Sequence, residues 1–310
     1  MKKLNVGVVG IGQLGQHHAR IYHELPEVNL VGLCDIHKEK EAKAKEYGTV
    51  FFKNYHDLLG KVDAVSIATP THLHACIAKT FLEHNIHVLI EKPITNNLQE
   101  ADDLIALATK KNCFLRVGHI ERHNAGFKAV KKIAKKIKFI EIHRLGPFTP
   151  RVADCGVVLD LMIHDLDIIL TLLQSNVTYL DAVGICVLSR HEDIANARLK
   201  FENGAIANIT ASRLTAEKQR KIRIFQDDAY ISLDYQNQQV LIHRKELFNI
   251  SKKEIDIKKE EPLRCELQEF VRDIREGKSQ TPVDIDARNA LAIALRILES
   301  IKENQKHLKG

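Results

Sequence analysis

The residues whose types and spacing can do chemistry fall into two groups. In Val6 to Gly15, VGVVGIGQLG, the residues Gly10, Gly12 and Gly15 fit G-x-G-x-x-G, with Gln13 and Leu14 inside the turn. That pattern ends a β-strand, turns tightly and opens a helix whose unpaired N–H groups face a pyrophosphate. Gly10 permits the turn, Gly12 lets backbone approach the phosphates, and Gly15 lets the helix pack on the strand. Asp35 follows about twenty residues later, at the end of the apolar run NLVGLC, where a carboxylate accepts the adenosine ribose hydroxyls and repels a 2′-phosphate. This favours NAD over NADP, the alternative being a solvated loop aspartate. The second group is Asp160 and His164, four residues apart on one helix face, with Asp167 three further on. A carboxylate that orients an imidazole suits proton transfer near neutral pH, although the same spacing also describes a histidine bonded within its own helix.

Between these groups lie other polar residues at the ends of apolar runs. VDAVSIA ends in Thr69-Pro70, followed by His72 and His74, and HVLI ends in Glu91-Lys92-Pro93. Strand ends of a parallel sheet are where ligands bind, so Thr69, Pro70, His74, Glu91 and Lys92 are candidate cofactor contacts. A lysine placed there can orient a substrate hydroxyl or join in proton transfer; the plainer reading of Glu91-Lys92 is an edge salt bridge.

The elements that must position these groups alternate through the first 120 residues. Strands are expected from Val6 into the glycine turn and near 29–34, 50–52, 62–68, 87–90 and 113–118, with helices between, which predicts a parallel, doubly wound dinucleotide-binding domain over 1–121. Residues 122–310 form a predicted second, α+β domain. Its parts are a basic amphipathic helix at Lys128 to Lys138, a strand at Ile140 to Leu145 and a helix at Leu159 to Leu173. Six β-rich segments then run from Tyr179 to His243, followed by helices at Cys265 to Arg275 and Asp284 to Lys302. Asn203-Gly204 is a hairpin signal, and the sheet reads as largely antiparallel.

Composition narrows the field. With 46 Lys and Arg against 40 Asp and Glu in 310 residues, the net charge of +6 is spread thinly, and the lysine-rich helix lacks the interleaved aromatics of a nucleic-acid surface. No apolar run reaches the length of a membrane span, and the N-terminal run reads as a core strand, not a signal peptide. Six scattered cysteines suggest neither a disulfide framework nor a metal site, which points to a reducing cytoplasm.

With GIGQLG at 10–15, TPTHLH at 69–74, EKP at 91–93 and DLMIHD at 160–165, the chain resembles the glucose-fructose oxidoreductase / inositol dehydrogenase (Gfo/Idh/MocA) family over nearly its whole length. GHIER at 118–122, HRLGPFTPR at 143–151 and VVLDLMIHDLDIIL at 157–170 look like its UDP-N-acetylglucosamine 3-dehydrogenase branch. Two departures are His123-Asn124-Ala125, where that branch has Phe-Asn-Pro, and Gly156 standing alone where the family has a glycine-rich lead. The resemblance implies hydride transfer between NAD and a sugar carbon, with Lys92, Asp160 and His164 catalytic. It implies that Arg122, Asn124, Arg144, Arg151 and His164 bind the substrate, a UDP-sugar. It also implies a homo-oligomer formed through the open sheet face and a last helix packed back near the first domain. An unlinked sugar or polyol as substrate, or an NAD-binding partner protein without turnover, are the alternatives.

Overall fold

The computed structural model describes residues 2–149, 155–246, 249–277 and 284–307. Two compact units share the chain: residues 1–120 with 261–288, and residues 121–260 with 289–310.

The first unit is a parallel sheet with helical crossovers. In chain order it comprises β1 (Leu4–Val9), α1 (Gly15–Glu24), β2 (Val28–Cys34), α2 (Glu41–Glu46), β3 (Val50–Phe52), β4 (Ala64–Ile67), α3 (His74–Glu83), β5 (His87–Glu91), α4 (Leu98–Lys111) and β6 (Leu115–Gly118). The strand order is 3-2-1-4-5-6, every pair parallel, so the chain reverses direction between β1 and β4. Strands such as AVSI are buried on both faces, which explains their largely apolar composition. Side-chain chemistry sets the helix ends. Asn97 accepts the Glu100 N–H at the start of α4, and Asn112 closes that helix at φ 51°.

The second unit opens with α5 (Ala125–Ile133), β7 (Phe139–Leu145) and α6 (Ile163–Leu173). It continues through β8 (Val177–Ile185), β9 (Ile194–Phe201), β10 (Ile206–Ser212), β11 (Gln219–Phe225), β12 (Ala229–Asp234), β13 (Gln239–Lys245) and β14 (Ile250–Ile255). The eight strands form one sheet in the order 14-13-12-11-7-10-9-8, antiparallel except where β7 meets β10. Alternation is strict in β9, whose Ala195, Ala197, Leu199 and Phe201 enter the core while Asn196, Arg198 and Lys200 face away. Gly204, at φ 83°, makes the turn between β9 and β10.

Three expectations need correction. Residues 261–288 belong to the first unit: Leu263, Leu267, Phe270 and Val271 of α7 (Pro262–Glu276) share a core with Ile21 and Tyr22 of α1. From residue 289 the last helix, α8 (Ile285–His307), belongs to the second unit, where Ala290, Ala294 and Ile297 join the sheet's core. The basic helix is shorter and earlier than 128–138. Asn124 caps it through Gly126 and Phe127, and the chain turns extended at Ala134. β14, with the charge-dense sequence ISKKEI, escapes periodicity because it is an edge strand with few core positions.

Candidate active site

In the first unit the glycine turn has the geometry its spacing implies. Gly10 sits at φ 87°, and a Cβ there would lie 2.6 Å from the Ala68 carbonyl oxygen; at Gly15 a Cβ would lie 1.8 Å from the Gly10 oxygen. Gly12 differs, since nothing lies within 4 Å of its Cβ position. The turn therefore packs at both ends and leaves Gly12, Gln13 and Leu14 exposed at its apex. No side chain caps α1, and no acid stands in its first turn, so its N-terminus is open to an anion. Asp35 is tied to this turn: its Oδ2 accepts the Ile11 N–H at 2.7 Å and its Oδ1 the His37 N–H at 2.9 Å.

His74 joins two strand ends. Its Nε2 lies 2.9 Å from the Thr69 carbonyl and its Nδ1 3.0 Å from that of Pro93, so it holds the turn after β4 against the turn after β5. The ring is buried, and burial moves its pKa below the usual histidine range. The side chain is thus a structural clamp between the two turns. Beside it, Thr69 Oγ1 is buried and makes no hydrogen bond among the described residues. An orphaned hydroxyl at a strand end and an open apex at Gly12 are what a bound dinucleotide would satisfy, so these residues fit NAD.

Glu91 also turns inward. Its Oε1 lies 2.9 Å from Nε2 of His18, a fully buried residue of α1, and its Oε2 accepts the Lys92 N–H at 3.3 Å. Burial raises the Glu91 pKa, but His18 and Lys92 outweigh it and hold the carboxyl below its usual range. Glu91 is thus an internal partner of His18, which went unnoticed in the sequence because it reads as one more helix residue. The Lys92–Pro93 bond is cis, and Lys92 itself is half-buried.

In the second unit, Asp160 lies in a π-helical turn, Val158–Met162, that runs into α6. Wide turns of this kind recur at functional sites. Asp160 and His164 are both half-buried, whereas Asp165 and Asp167 are fully enclosed. Glu192 secures the start of this helix: its Oε1 accepts the Val158 N–H at 3.1 Å, and its carboxylate would lie 2.0 Å from a Cβ at residue 156. Gly156 is therefore a position where a side chain would collide with Glu192.

The three branch-like motifs meet in one ionic network. Arg144, only 3% exposed, donates from Nε and Nη2 to both oxygens of Asp165 (2.9 and 2.8 Å) and from Nη1 to Glu121 (2.9 Å). Burial alone would lower the Arg144 pKa, but the two carboxylates outweigh it and keep the guanidinium charged. Arg122 grips Asp167 through Nε and Nη2. The two forks therefore hold α6 on either side of the turn that carries His164.

Two residues expected to bind the substrate are engaged within the unit. Arg144 gives three of its five N–H groups to Asp165 and Glu121. Asn124 is buried as the cap of α5 and donates to the Tyr235 carbonyl at 3.1 Å. Ala125 then stands at the first helical position, where the branch's proline would also fit. Arg151 lies outside the described residues. An arginine missed in the sequence, Arg220, pairs with Arg144 across β11 and β7 and is exposed. Burial of part of its side chain and the charge of Arg144 lower its pKa, against the pull of Glu121, Asp165 and Asp160. It thus stands beside the helix that bears His164.

Taken each by itself, the first unit carries a glycine turn and a lysine at a strand end and the second a helix bearing a carboxylate and an imidazole, side chains of the kinds a nicotinamide-dependent oxidoreductase uses. Residues 4–119 match the family described as "Oxidoreductase family, NAD-binding Rossmann fold", and residues 140–232 match the "GFO/IDH/MocA C-terminal domain". UDP-N-acetylglucosamine 3-dehydrogenase of Acidithiobacillus ferrooxidans is 33% identical over 97% of this chain and 98% of its own length. A crystal form of that enzyme superposes with a TM-score of 0.92 over 98% of this chain and 99% of the other, at 34% identity. Scyllo-inositol dehydrogenase from Lactobacillus casei, solved with NAD(H) and scyllo-inositol, shares the fold at a TM-score of 0.83 and 20% identity over 98% of each chain. The chain belongs to the Gfo/Idh/MocA family of NAD-binding oxidoreductases. Among the described residues no helix is long and apolar enough to cross a membrane, and no cluster of three or more metal-ligating side chains occurs.

Proposed function

We propose that this oxidoreductase acts on a secondary alcohol of a sugar nucleotide, converting UDP-N-acetylglucosamine to its 3-keto form. The observation that carries the proposal is the end-to-end similarity to an enzyme of that name, 33% identity with 97% and 98% coverage. The side chains for the chemistry are present. Bound NAD would supply the hydride acceptor. Gly12, Gln13 and Leu14 at the turn's apex would bind its pyrophosphate, Asp35 its ribose, and Thr69 and Pro70 its nicotinamide end. His164 accepts the proton of the reacting hydroxyl, Asp160 orients the imidazole, and Lys92 donates a hydrogen bond to the hydroxyl oxygen. Arg122, whose guanidinium retains an exposed edge, and Arg220 are the described arginines assigned to the diphosphate.

The protein is further proposed to act as a homo-oligomer in the cytoplasm. Tyr179, Val183 and Ile185 of β8 are each close to half exposed or more, on the sheet face turned away from the helices. The scattered cysteines accord with a reducing compartment. Reduction of NAD on adding UDP-N-acetylglucosamine, lost in His164→Ala and in Lys92→Ala with NADH binding retained, tests the proposal. Turnover of a free inositol and none of the sugar nucleotide would replace it with the polyol reading.

A further inference from the structure

Two polar side chains of α1, four residues apart and so on one helix face, reach across the parallel sheet. The Tyr22 hydroxyl bonds Ser66 on β4 at 2.9 Å, and His18 Nε2 bonds Glu91 Oε1 at the end of β5 at 2.9 Å. The second bond has the features of a built positioning device. His18 is completely buried, and Glu91 is 8% exposed. Because the ionised carboxylate can only accept, Nε2 carries the hydrogen, while Nδ1 has no hydrogen-bond partner among the described residues. Among those residues, Glu91 is what orients this ring through a hydrogen bond. The carboxylate has its own berth, since Gly118 pairs with Glu91 across β5 and β6 and a Cβ there would lie 3.1 Å from the carboxyl carbon. The other oxygen, Oε2, takes the N–H of Lys92. A line of two hydrogen bonds thus runs from the helix that opens at the glycine turn to the backbone of the lysine.

We infer that His18 is a positioning residue, which through Glu91 sets the placement of Lys92 relative to the helix expected to carry the pyrophosphate. The inference rests on the proposed role of Lys92. Buried polar pairs need their full set of partners, so replacing the imidazole by an apolar group leaves the carboxylate short of a donor and releases the turn that holds Lys92. Glutamine can restore a donor near the Nε2 position.

The test compares His18→Leu, His18→Gln and Glu91→Gln with wild type in three measurements. These are turnover of UDP-N-acetylglucosamine, NADH affinity by fluorescence, and the rate at which acetic anhydride labels Lys92 relative to the other lysines, read by peptide mass spectrometry. In His18→Leu, kcat is expected to fall about tenfold or more, with KM for the sugar nucleotide and NADH affinity within about threefold of wild type, as misplacement of a reacting group predicts. The relative labelling of Lys92 should change, and His18→Gln should recover most of both. Wild-type kcat and labelling in His18→Leu, or a His18→Gln as impaired as His18→Leu, would overturn the inference. If His18→Leu does not fold, Glu91→Gln decides: unchanged Lys92 labelling there overturns it. A wild-type enzyme that leaves UDP-N-acetylglucosamine untouched, while Lys92 labelling still responds to His18→Leu, removes the proposed substrate and leaves the positioning role standing.

Discussion

At the scale of single residues, the glycine turn separates two effects that substitutions usually mix. Gly15→Ala would place a methyl group against the Gly10 carbonyl, so it is expected to destabilise the fold by about 1–3 kcal/mol or more, as overpacking does. Gly12→Ala meets nothing, so its melting temperature should match wild type while NADH binding, measured by fluorescence, weakens at least about tenfold because the methyl fills the approach to the phosphates. Equal loss of stability in both variants would count against that division. Titration adds a second residue-scale expectation. His87 Nδ1 accepts the Phe114 N–H at 3.0 Å, and burial lowers its pKa, as it does for His74. Below about pH 6.5 the unfolded chain binds protons on these rings that the folded chain does not, so stability should be full above that value and decline as the pH falls toward the lowered folded pKa values. His87→Asn, which keeps an acceptor and cannot titrate, should show a shallower loss of melting temperature between pH 7 and 5. What was legible in the sequence was local: Gly10 and Gly15, where sterics demand glycine, and the placing of Asp35 beside the turn, where it accepts the Ile11 N–H. The enclosure of Arg144 was not legible, because nothing local distinguishes an arginine that binds phosphate from one enclosed by Asp165 and Glu121, residues 21 and 23 positions away.

At the scale of elements, two arginine forks tie α6 to its unit, and Glu192 caps the turn that leads into it. Arg144→Met leaves the Asp165 and Glu121 carboxylates buried without their cation, and is expected to cost about 3–5 kcal/mol in urea unfolding, in line with breaking other buried ion pairs. A loss below about 1 kcal/mol would show that the network is not what holds the helix. The π-turn at Val158–Met162 was beyond sequence reading, since the 3.6-residue period of Leu161, Ile168 and Leu172 suggested an ordinary helix from 159. The same limit applies to α7. A helix was expected at Cys265 to Arg275, but which core receives Leu267 and Phe270 is a matter of tertiary choice. Leu267→Ala should therefore destabilise by about 2–5 kcal/mol, and by hydrogen exchange the added opening should appear in β1, β2 and α1, the elements that share its core. Protection lost only in the strands of the second unit would contradict this placement.

At the scale of the whole molecule, strand and helix alternation made the parallel unit readable, and the run of short β segments after residue 177 made the second sheet readable. Its order was not, because the parallel pairing of β7 with β10 joins segments more than sixty residues apart. The exposed apolar residues of β8 lead to an assembly-scale expectation. Val183→Asp with Ile185→Asp should shift the sedimenting species toward monomer, and an unchanged sedimentation profile would assign the proposed interface elsewhere. The central claim joins the two units in one reaction on one class of substrate. It is tested most directly by mixing the purified protein with NAD and UDP-N-acetylglucosamine, following reduced nicotinamide by absorbance and the sugar nucleotide by mass spectrometry. The account predicts NADH together with a product lighter by two hydrogens, and neither in His164→Ala. NADH formed with free polyols but not with the sugar nucleotide, or full turnover in His164→Ala, would contradict it.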